Sequence, residues 1–427
     1  MRPAFLAPFS NRNYRLYFSG QLISLIGTFM TFTALSWVVY VLTNSPLMLG
    51  ALALASQAPT LIASPFAGVW VDRLDRRRLL IATQLLSLLE SLALTVLAFT
   101  HTLNIWFVLV LSVFQGLVNA FDLPTRQAMV SQIAEKREDL PGVIGMNSTM
   151  FNLGRMLGPP LGGMILSSLG AGACFLIDTI SYVGVLCAVF AMRVRPQQFE
   201  AKPRPVLEDL KTGMLYSIRT RPIRTLMLTL GWVSLFGMSY AVMNPAFARD
   251  VFRGDAHLLG WLMAASALGS ISGALRTASR TGIRQLARGM LMGVSLLAAG
   301  MLVYAMSNNV ALAMVSLFVA GMGSVTFITS SNALIQNLVE EDKRGRVMSW
   351  YGLCFQGGFP LGGLMIGALA TRFGVSHSVF LWGLLTGFAA LYIWATQSLF
   401  VSRAEQLWLK QSEIVSMHIS ETSTRQR

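Results

Sequence analysis

The chain has 427 residues, of which 54% are hydrophobic and only 12% are charged, and its formal net charge is +14. A soluble domain carries about 25% charged residues. This composition, with apolar runs near 20 residues long, excludes a soluble globular protein and indicates an integral membrane protein. Backbone groups in lipid must satisfy their own hydrogen bonds, so the runs are predicted to be helices rather than the short alternating strands of a barrel.

The apolar runs predict twelve transmembrane helices in chain order. Each run is close to the ~20 residues that cross the hydrocarbon core of a bilayer. The predicted spans are 18–41, 47–70, 79–100, 104–124, 142–168, 174–192, 223–246, 257–275, 287–306, 310–333, 346–370 and 376–400.

The basic residues indicate how these helices are oriented. The odd-numbered connections carry only Arg249, Arg253 and Arg372, and Arg155 lies within a span, whereas the other basic residues concentrate in the termini and even-numbered loops. Because Lys and Arg accumulate on the cytoplasmic side of a membrane, both termini are predicted to be cytoplasmic in a multi-pass membrane protein. Arg12 and Arg15 run directly into a full-length span, so a cleavable signal peptide is not predicted.

A long loop divides the chain into two sets of six helices. We predict a first bundle at 1–192, a linker at 193–222, a second bundle at 223–401 and a polar, mobile tail at 402–427. In the linker, apolar residues recur at helical spacing, which predicts a short amphipathic helix on the inner membrane surface. These residues are Leu207, Leu210, Met214 and Ile218.

An internal repeat supports this division. The stretch "GPPLGGMI" at 158–165 recurs as "GFPLGGLMI" at 358–366, and each copy lies in the fifth helix of its half. The predicted fold is therefore an all-α membrane protein with two pseudo-symmetric six-helix bundles. Such repeats are typical of transporters whose halves rock about a site at the middle of the membrane. The alternative is a coincidence of small residues in glycine-rich helices.

Several motifs resemble one transporter family. The stretch "GVWVDRLDRR" at 68–77 resembles the loop-two motif of the major facilitator superfamily, and "GRMLGPPLGG" at 154–163 is similar to its fifth-helix antiporter motif. The stretches "NRNYRLYFSGQLISLIGT" and "FDLPTRQAMV" resemble the branch that contains the enterobactin exporter and related secretion effectors. The resemblance runs from about residue 9 to residue 400 and implies the major facilitator fold.

The resemblance implies a gate on the inner side of the membrane. A carboxylate at the carboxyl end of helix two is disfavoured by the helix dipole unless a positive group offsets it. Arg76, or the start of helix eleven near Arg346, supplies such a group. We therefore hypothesise an inner latch of Asp72, Arg76 and Asp122; the alternative is a solvated loop charge. The predicted gate residues are Gly68, Asp72, Arg73, Arg76 and Asp122.

Two further features are expected from this part of the chain and from helix five. Asp75 replaces the usual glycine of the motif, and its simplest predicted role is the N-cap of helix three.

In helix five, small residues at every fourth position form a flat stripe, and the following prolines allow a bend. We predict that this stripe slides against the opposite half; ordinary tight packing is the alternative. The predicted hinge residues are Gly154, Gly158, Pro159 and Gly162.

Ionisable residues inside the spans are candidates for proton coupling, because a charge in the membrane is costly. Glu90 falls in the middle of helix three, Arg155 in the middle of helix five, and Asp178 near the outer end of helix six. The alternative is a structural ion pair between Arg155 and one of the two acids. Ser112 stands where the family's fourth-helix proton motif has arginine, so the usual form of that mechanism is not implied.

The resemblance implies that helices one, four, seven and ten line the substrate cavity. The polar and aromatic residues of these helices suit hydrogen bonding and stacking on a neutral or anionic aromatic molecule. For the aromatic stripe of helix seven, packing against lipid or core is the alternative. The predicted cavity residues are Gln21, Ser24, Thr28, Thr31, Gln115, Asn119, Trp232, Phe236, Tyr240, Asn244, Thr326 and Thr329.

The function predicted from these features is efflux. The sequence has no metal-ligand spacing, P-loop or nucleophile motif, so no enzyme, cofactor or metal is predicted, and the positive charge reports topology rather than nucleic-acid binding. We expect a monomeric secondary-active transporter in the inner membrane of a bacterium, which exports a siderophore or drug-like amphiphile with a proton as the coupling ion. The alternatives are a broad multidrug pump, an uptake carrier and a membrane scaffold that does not transport.

Overall fold

The computed structural model describes residue 9 and residues 11–133, 140–192, 206–280 and 282–425, and thirteen helices cover most of these ranges. They are α1 Arg12–Thr43, α2 Pro46–Arg73, α3 Arg76–Phe99, α4 Ile105–Ile133, α5 Leu140–Leu169, α6 Ala171–Ala191, α7 Val206–Arg219, α8 Arg221–Val251, α9 Ala256–Ala278, α10 Ile283–Met306, α11 Val310–Leu338, α12 Arg344–Phe373 and α13 Val375–Arg425.

Eleven of the helices in the described ranges are long and apolar enough to cross a membrane. The helix α5 is also 30 residues long, and it packs against α1 and α9. The predicted all-α membrane fold is therefore confirmed. Several helices extend beyond the predicted spans: α1 begins six residues before position 18, at Arg12, α4 continues nine residues past position 124, to Ile133, and α13 continues to Arg425 instead of ending near position 400.

The long helices form two bundles, α1–α6 and α8–α13, which meet through two pairs of helices. The helix α5 packs against α9, and α2 packs against α12. The second bundle contains a large continuous apolar core, to which Phe247, Leu297 and Phe327 contribute fully buried side chains. The two pairs of contact helices occupy equivalent places in the two halves, as the sequence repeat predicts.

The paired glycines of the first repeat have different neighbours. A Cβ atom on Gly162 would lie 3.0 Å from the Cα atom of Met30, which belongs to α1 in the same bundle. A Cβ atom on Gly163 would lie 2.5 Å from the carbonyl oxygen of Ala256, which begins α9 in the other bundle. The first glycine therefore permits close packing within a bundle, and the second permits close packing between bundles.

The second repeat divides its glycines in the same way. A Cβ atom on Gly362 would collide with the carbonyl group of Leu235 in α8 of its own bundle. The backbone carbonyl of Gly363 lies against Gly50 of α2 in the other bundle. The repeated "PLGG" thus supplies one contact within a bundle and one contact between bundles in each half of the molecule.

The two ends of the molecule differ in how closely the bundles approach. We name the end that carries the α2–α3, α9–α10 and α11–α12 connections the basic rim, and the other end the opposite rim. At the opposite rim, a Cβ atom on Gly367 would lie 2.6 Å from the carbonyl oxygen of Pro46. Near the basic rim, nothing lies within 4 Å of a Cβ atom built on Gly68 of α2 or on Gly145 of α5. The bundles are closed together at the opposite rim.

The helix α7 lies against the second bundle at the basic rim. Its Gly213 packs on the backbone of Arg346 in the first turn of α12. The Tyr216 hydroxyl donates a hydrogen bond to Glu340 at 3.4 Å, and the Lys343 ammonium lies 4.9 Å from the centre of the Tyr216 ring. Burial and the neighbouring Glu340 carboxylate raise the pKa of Tyr216. The predicted linker helix is present, and it packs against the first turn of α12 and the connection that precedes it.

The helix α8 is irregular beyond its first twelve residues. Regular α-helix ends at Trp232, and π-helical turns follow at Val233–Met238 and Phe247–Val251, with a 3-10 segment at Ser239–Met243 between them. Such turns change the angle between successive side chains. The predicted aromatic stripe is present for Trp232 and Phe236, whose ring centres lie 4.7 Å apart, whereas Tyr240, beyond the first π-helical turn, packs against Tyr304 of α10.

Candidate functional site

Two acidic side chains are buried inside the first bundle, within range of electrostatic interaction with each other. Glu90 of α3 is 5% exposed and Asp178 of α6 is 2% exposed, and the two carboxyl groups are close enough to interact electrostatically. The Ser181 hydroxyl lies 3.4 Å from a carboxyl oxygen of Asp178, and Thr31 of α1 lies beside the same group. A Cβ atom on Gly27 would lie 2.6 Å from Asp178, so a glycine is needed where α1 passes this site.

Hydroxyl groups surround this acid pair. The Thr28 and Tyr182 hydroxyls lie 3.4 Å apart, and Thr95 and Thr179 lie 3.2 Å apart. The Ser91 hydroxyl donates to the carbonyl oxygen of Phe175 and also meets Thr179. The pair therefore lies in a polar core that joins α1, α3 and α6 within one bundle.

The polar face of α1 belongs to this core and not to an open cavity. The side chains of Gln21 and Ser24 are fully buried and have no hydrogen-bond partner in the described part of the structure, and Thr31 is 7% exposed. Gln115 of α4 donates to the Ser87 hydroxyl of α3 at 3.1 Å and to Asn119 at 3.3 Å. Within α1, the structure places Thr28 and Thr31 against Tyr182 and Asp178 of α6, inside the first bundle and not on a cavity between the bundles.

Asp122 is also an internal residue of the first bundle. Its carboxylate pairs with Arg126 at 2.5 Å and accepts hydrogen bonds from Thr83 at 2.7 Å and Gln84 at 2.8 Å. Arg76 donates instead to the carbonyl oxygen of Ala128 at 3.5 Å. The predicted Arg76–Asp122 contact is absent here, because α4 continues past Asp122 and brings Arg126 to it, one turn later.

The predicted gate is only partly described. The side chain of Asp72 lies outside the described residues, and Arg73 ends α2 at the basic rim with its side chain exposed. Asp75 is confirmed as the N-cap of α3, since its side chain accepts a hydrogen bond from the backbone N–H of Arg78 at 2.8 Å. Gly68 has open space beside it, so in this state the gate region of α2 does not touch the second bundle there.

Arg155 crosses from the first bundle to the second. It donates a hydrogen bond to the Ser270 hydroxyl of α9 at 3.1 Å and lies near Tyr240 of α8. Neither Glu90 nor Asp178 forms an ion pair with it; within the described ranges the ion pairs are Arg126–Asp122, Arg284–Glu405 and Lys343–Glu340. The structural ion pair that was the alternative is therefore absent, because Arg155 and the acids project from different faces of the bundle.

The predicted cavity residues of the second bundle divide between its core and its surface. Trp232 donates to the carbonyl oxygen of Leu385 at 2.8 Å, and the Phe236 ring packs edge-on against Trp382 of α13. Phe236 is buried in the core and Trp232 is partly buried against it, which agrees with the alternative of core packing for this stripe. Asn244 accepts a hydrogen bond from Tyr304, Thr326 is fully buried, and Thr329 is exposed.

The predicted hinge stripe packs within its own bundle. Cβ atoms on Gly154 and Gly158 would lie 2.9 Å from Leu25 and 2.5 Å from Phe29, both in α1. The prediction that this stripe slides against the opposite half was wrong, because the three glycines share the face that α1 covers. The contact with the other bundle uses the carbonyl oxygen of Pro159, which would lie 2.6 Å from a Cβ atom on Gly260.

A polar contact between the bundles at the opposite rim was not predicted. The Tyr40 hydroxyl of α1 donates a short hydrogen bond to the Asp250 carboxylate of α8. Arg249 donates to the Tyr40 carbonyl oxygen at 3.3 Å, and its guanidinium lies 5.9 Å from the centre of the Tyr40 ring. The signal in the sequence was an adjacent Arg and Asp on a side of the membrane that is otherwise poor in charge.

No group of three or more His, Cys, Asp or Glu side chains that could hold a metal ion occurs among the described residues. The chemistry that this arrangement offers is therefore electrostatic. It consists of two acidic side chains without a basic partner in one bundle, an arginine between the bundles, and the hydrogen bond from Tyr40 to Asp250 at the opposite rim.

Comparison with known proteins agrees with this architecture. A family model described as transmembrane secretion effector matches residues 4–418. The chain belongs to this family of major facilitator superfamily transporters. It is 25% identical to the staphyloferrin A transporter of Staphylococcus aureus over 411 residues, covering 93% of this chain and 98% of that protein. It is 29% identical to the multidrug efflux pump Tap of Mycolicibacterium fortuitum over 366 residues, covering 83% and 88%.

Solved structures of other major facilitator proteins share this transporter's fold. A bacterial homologue of the lysosomal transporter Spinster, in an inward-facing and unoccupied conformation, matches with a TM-score of 0.68 at 12% identity, covering 94% of this chain and 98% of that one. A bacterial homologue of ferroportin, in an inward-facing state, matches with a TM-score of 0.65 at 16% identity, covering 92% and 98%. The chain is thus a multi-pass membrane transporter and not an enzyme.

Proposed function

We propose that this chain exports a small amphipathic molecule by alternating access and that proton exchange drives the export. The main observation in support of the proposal is that the buried acidic side chains and the buried arginine lie apart from one another. The acids Glu90 and Asp178 are buried in the first bundle without a basic partner, while Arg155 lies between the bundles without an acidic one. The names of related proteins, which include a siderophore transporter and multidrug pumps, support the direction of transport.

The acid pair is the proposed site of proton exchange. Two neighbouring carboxylates that lack a counter-ion are too costly to remain charged together in a bundle surrounded by lipid. A proton must therefore accompany them in at least part of the transport cycle. Because Thr31 and Gly27 of α1 contact Asp178, a change in protonation acts directly on a helix that also packs against α5.

Arg155 is the proposed attraction for the cargo. Its guanidinium lies where the two bundles meet, with the hydroxyl of Ser270 as its hydrogen-bond partner and Tyr240 near it. A planar cation beside an aromatic ring suits a carboxylate, a phenolate or another anionic aromatic group. A lipophilic cation would need an acid on this surface, whereas both buried acids face the interior of the first bundle.

The basic rim is proposed to face the cytoplasm, in accordance with the positive-inside rule. The bundles approach closely at the opposite rim, and Gly68 has free space at the basic rim, so this arrangement corresponds to access from the cytoplasm. In the alternate state, we expect the gate residues Gly68, Asp72, Arg73 and Arg76 to approach the start of α12. Asp122 is not part of that contact, since its partners lie within its own bundle.

Purified protein in liposomes tests the coupling. A catecholate siderophore, a macrolide and a lipophilic cation are each added, and proton release is recorded for the wild type, Glu90→Gln and Asp178→Asn. Glu405→Gln is a matched control, because that acid pairs with Arg284 at the basic rim, away from the acid pair. We expect coupled proton movement in the wild type and the control and its loss in the two variants. Coupling unchanged in both variants would show that the proton assignment is wrong.

Broad multidrug efflux is the second candidate, supported by the multidrug efflux pump Tap among the relatives. A substrate-range assay in an efflux-deficient strain separates it from dedicated export. Resistance to many unrelated compounds, cations included, would favour the multidrug pump. Protection or secretion confined to one anionic chemical class would favour a dedicated exporter.

A further inference from the structure

A basic pocket lies at the basic rim, outside the proposed transport site. It has a volume of about 190 Å³ and lies between the start of α8 and the distal part of α13. Three arginines line it, Arg221 and Arg224 from α8 and Arg403 from α13. Hydroxyl groups of the two helices complete its polar wall, supplied by Thr225, Tyr392 and Thr396. The spacing of these residues places those of α8 on one face of α8 and those of α13 on one face of α13. The pocket lies between these two facing surfaces.

The positive charge of this pocket is not neutralised by the protein. No acidic residue lines it, and among the described residues the three arginine side chains form no ion pair, since the ion pairs there are Arg126–Asp122, Arg284–Glu405 and Lys343–Glu340. The nearest acid along α13 is Glu405, whose carboxylate is occupied by two contacts with Arg284 at 2.9 and 3.4 Å. Three clustered guanidinium groups repel one another, so the pocket favours an anion with several acceptor oxygens.

The surroundings of the pocket indicate where the anion comes from. Exposed apolar side chains continue from it towards the middle of the membrane on the same faces of the two helices. On α8, Leu228 follows Arg224 by one turn and is 67% exposed; on α13, Phe388 precedes Tyr392 by one turn and is 61% exposed. Phe388 also contacts Trp232 of α8, with ring centres 6.2 Å apart, so the two faces meet along this line.

We propose that this pocket binds the phosphate of an anionic phospholipid from the surrounding bilayer. The phosphate oxygens accept hydrogen bonds from the arginines, which hold phosphate in a bidentate manner. The acyl chains then lie along Leu228 and Phe388. The ligand is an annular lipid of the leaflet at the basic rim, where basic pockets between helices recognise acidic headgroups.

The same chemistry would also accept a soluble phosphate ester, and the acyl-chain path distinguishes the two sources. A free ester meets only the arginines, whereas a phospholipid meets the arginines and the exposed apolar faces. The lipid therefore gains binding from the side chains of Leu228 and Phe388, and the soluble ester does not.

The experiment uses full-length protein purified in detergent and stripped of lipid. Phosphatidylglycerol, phosphatidylcholine and glycerol phosphate are titrated separately, with retained lipid counted by native mass spectrometry and the unfolding temperature recorded. The test variant is Arg221→Gln with Arg224→Gln and Arg403→Gln. Arg288→Gln is the matched control, because Arg288 is an exposed arginine at the same rim and does not line the pocket.

We expect phosphatidylglycerol to bind to and stabilise the wild type and the control, with binding to the triple glutamine variant weaker by about 100-fold. A triple lysine variant keeps the charge and the topology signal, and we expect it to retain part of the binding even if the glutamine variant folds poorly. Equal binding of phosphatidylcholine, competition by glycerol phosphate at lipid-like concentrations, or unchanged phosphatidylglycerol binding by a folded glutamine variant would each overturn the proposal.

Discussion

The hydroxyl of Tyr40 and the carboxylate of Asp250 join the two bundles at the opposite rim. Tyr40 lies near the end of α1 and Asp250 near the end of α8, so one hydrogen bond connects the equivalent first helices of the two halves. Arg249 adds a second contact to the backbone of the same tyrosine. In the proposed rocking motion these helices separate at the opposite rim, so this contact is expected to stabilise the state in which that rim is closed.

Removal of the Tyr40 hydroxyl is predicted to shift the molecule towards the alternate state. A hydrogen bond to a charged group contributes about 1.5–3 kcal/mol, so Tyr40→Phe changes the ratio of the two states by about tenfold or more. Spin labels at Thr102 in the first bundle and Asn308 in the second report the width of the opposite rim. We expect a longer distance to become populated.

The matched control for this prediction is Tyr304→Phe. It removes a tyrosine hydroxyl whose partner, Asn244, lies in the same bundle at 3.2 Å, so the rim distance is expected to stay unchanged. If Tyr40→Phe and Tyr304→Phe give the same distance distribution as the wild type, the contact does not stabilise the closed rim.

Neighbouring glycines of α5 are predicted to respond differently to the same substitution. A methyl group at Gly163 meets the carbonyl oxygen of Ala256 at 2.5 Å, so Gly163→Ala opposes closure of the opposite rim. A methyl group at Gly162 meets Met30 at 3.0 Å, so Gly162→Ala lowers the unfolding temperature of the first bundle instead. Rim distances and unfolding temperatures of both variants are measured together. Identical effects on both quantities would contradict the division between the two glycines.

Substitution of Asp122 is predicted to affect stability rather than gating. The residue is 2% exposed, and Asp122→Asn leaves Arg126 without its buried counter-charge, at a cost of about 3 kcal/mol. The unfolding temperature falls, while the ratio of the two transport states is unchanged. A normal unfolding temperature together with a changed ratio of the two transport states would instead show that Asp122 acts in the gate.

Substitution of Arg155 is predicted to reduce affinity for anionic cargo. Arg155→Gln removes the charge. Arg155→Lys keeps the charge but loses the planar guanidinium group, which can form two parallel hydrogen bonds with a carboxylate. In binding assays on the purified protein, we expect the largest loss for glutamine and an intermediate loss for lysine. Unchanged affinity in both variants would exclude Arg155 from the site; Arg288→Gln controls for a general effect of surface charge.

The sequence predicted the architecture well because hydrophobic length and charge asymmetry act locally along the chain. The N-cap at Asp75 was confirmed for the same reason, since its partner lies three residues away. The neighbour against which each face of a helix packs was predicted less well. The glycine at position 162 and the glycine at position 163 are indistinguishable by composition, yet their directions differ by about 100° on a helix of 3.6 residues per turn.

The site was harder to predict because its contacts join distant parts of the chain. Asp122 was expected at a helix end, and the continuation of α4 placed Arg126 beside it instead. Trp232 and Phe236 of α8 pack against α13, where Trp232 donates to the carbonyl oxygen of Leu385, 153 positions further along the chain. Tyr40 and Asp250 lie 210 positions apart, and neither residue has a local pattern that indicates the other.

The central claim is that the two bundles rock about a site between them, so that one rim opens as the other closes. Distances between spin labels at both rims test it most directly, with Ser148 and Ser279 labelled at the basic rim and Ser168 and Asn308 at the opposite rim, in a background without the three native cysteines. On addition of a transported substrate or a change of pH, we predict that one distance lengthens while the other shortens. Two distances that stay fixed, or that change in the same direction, would contradict the claim.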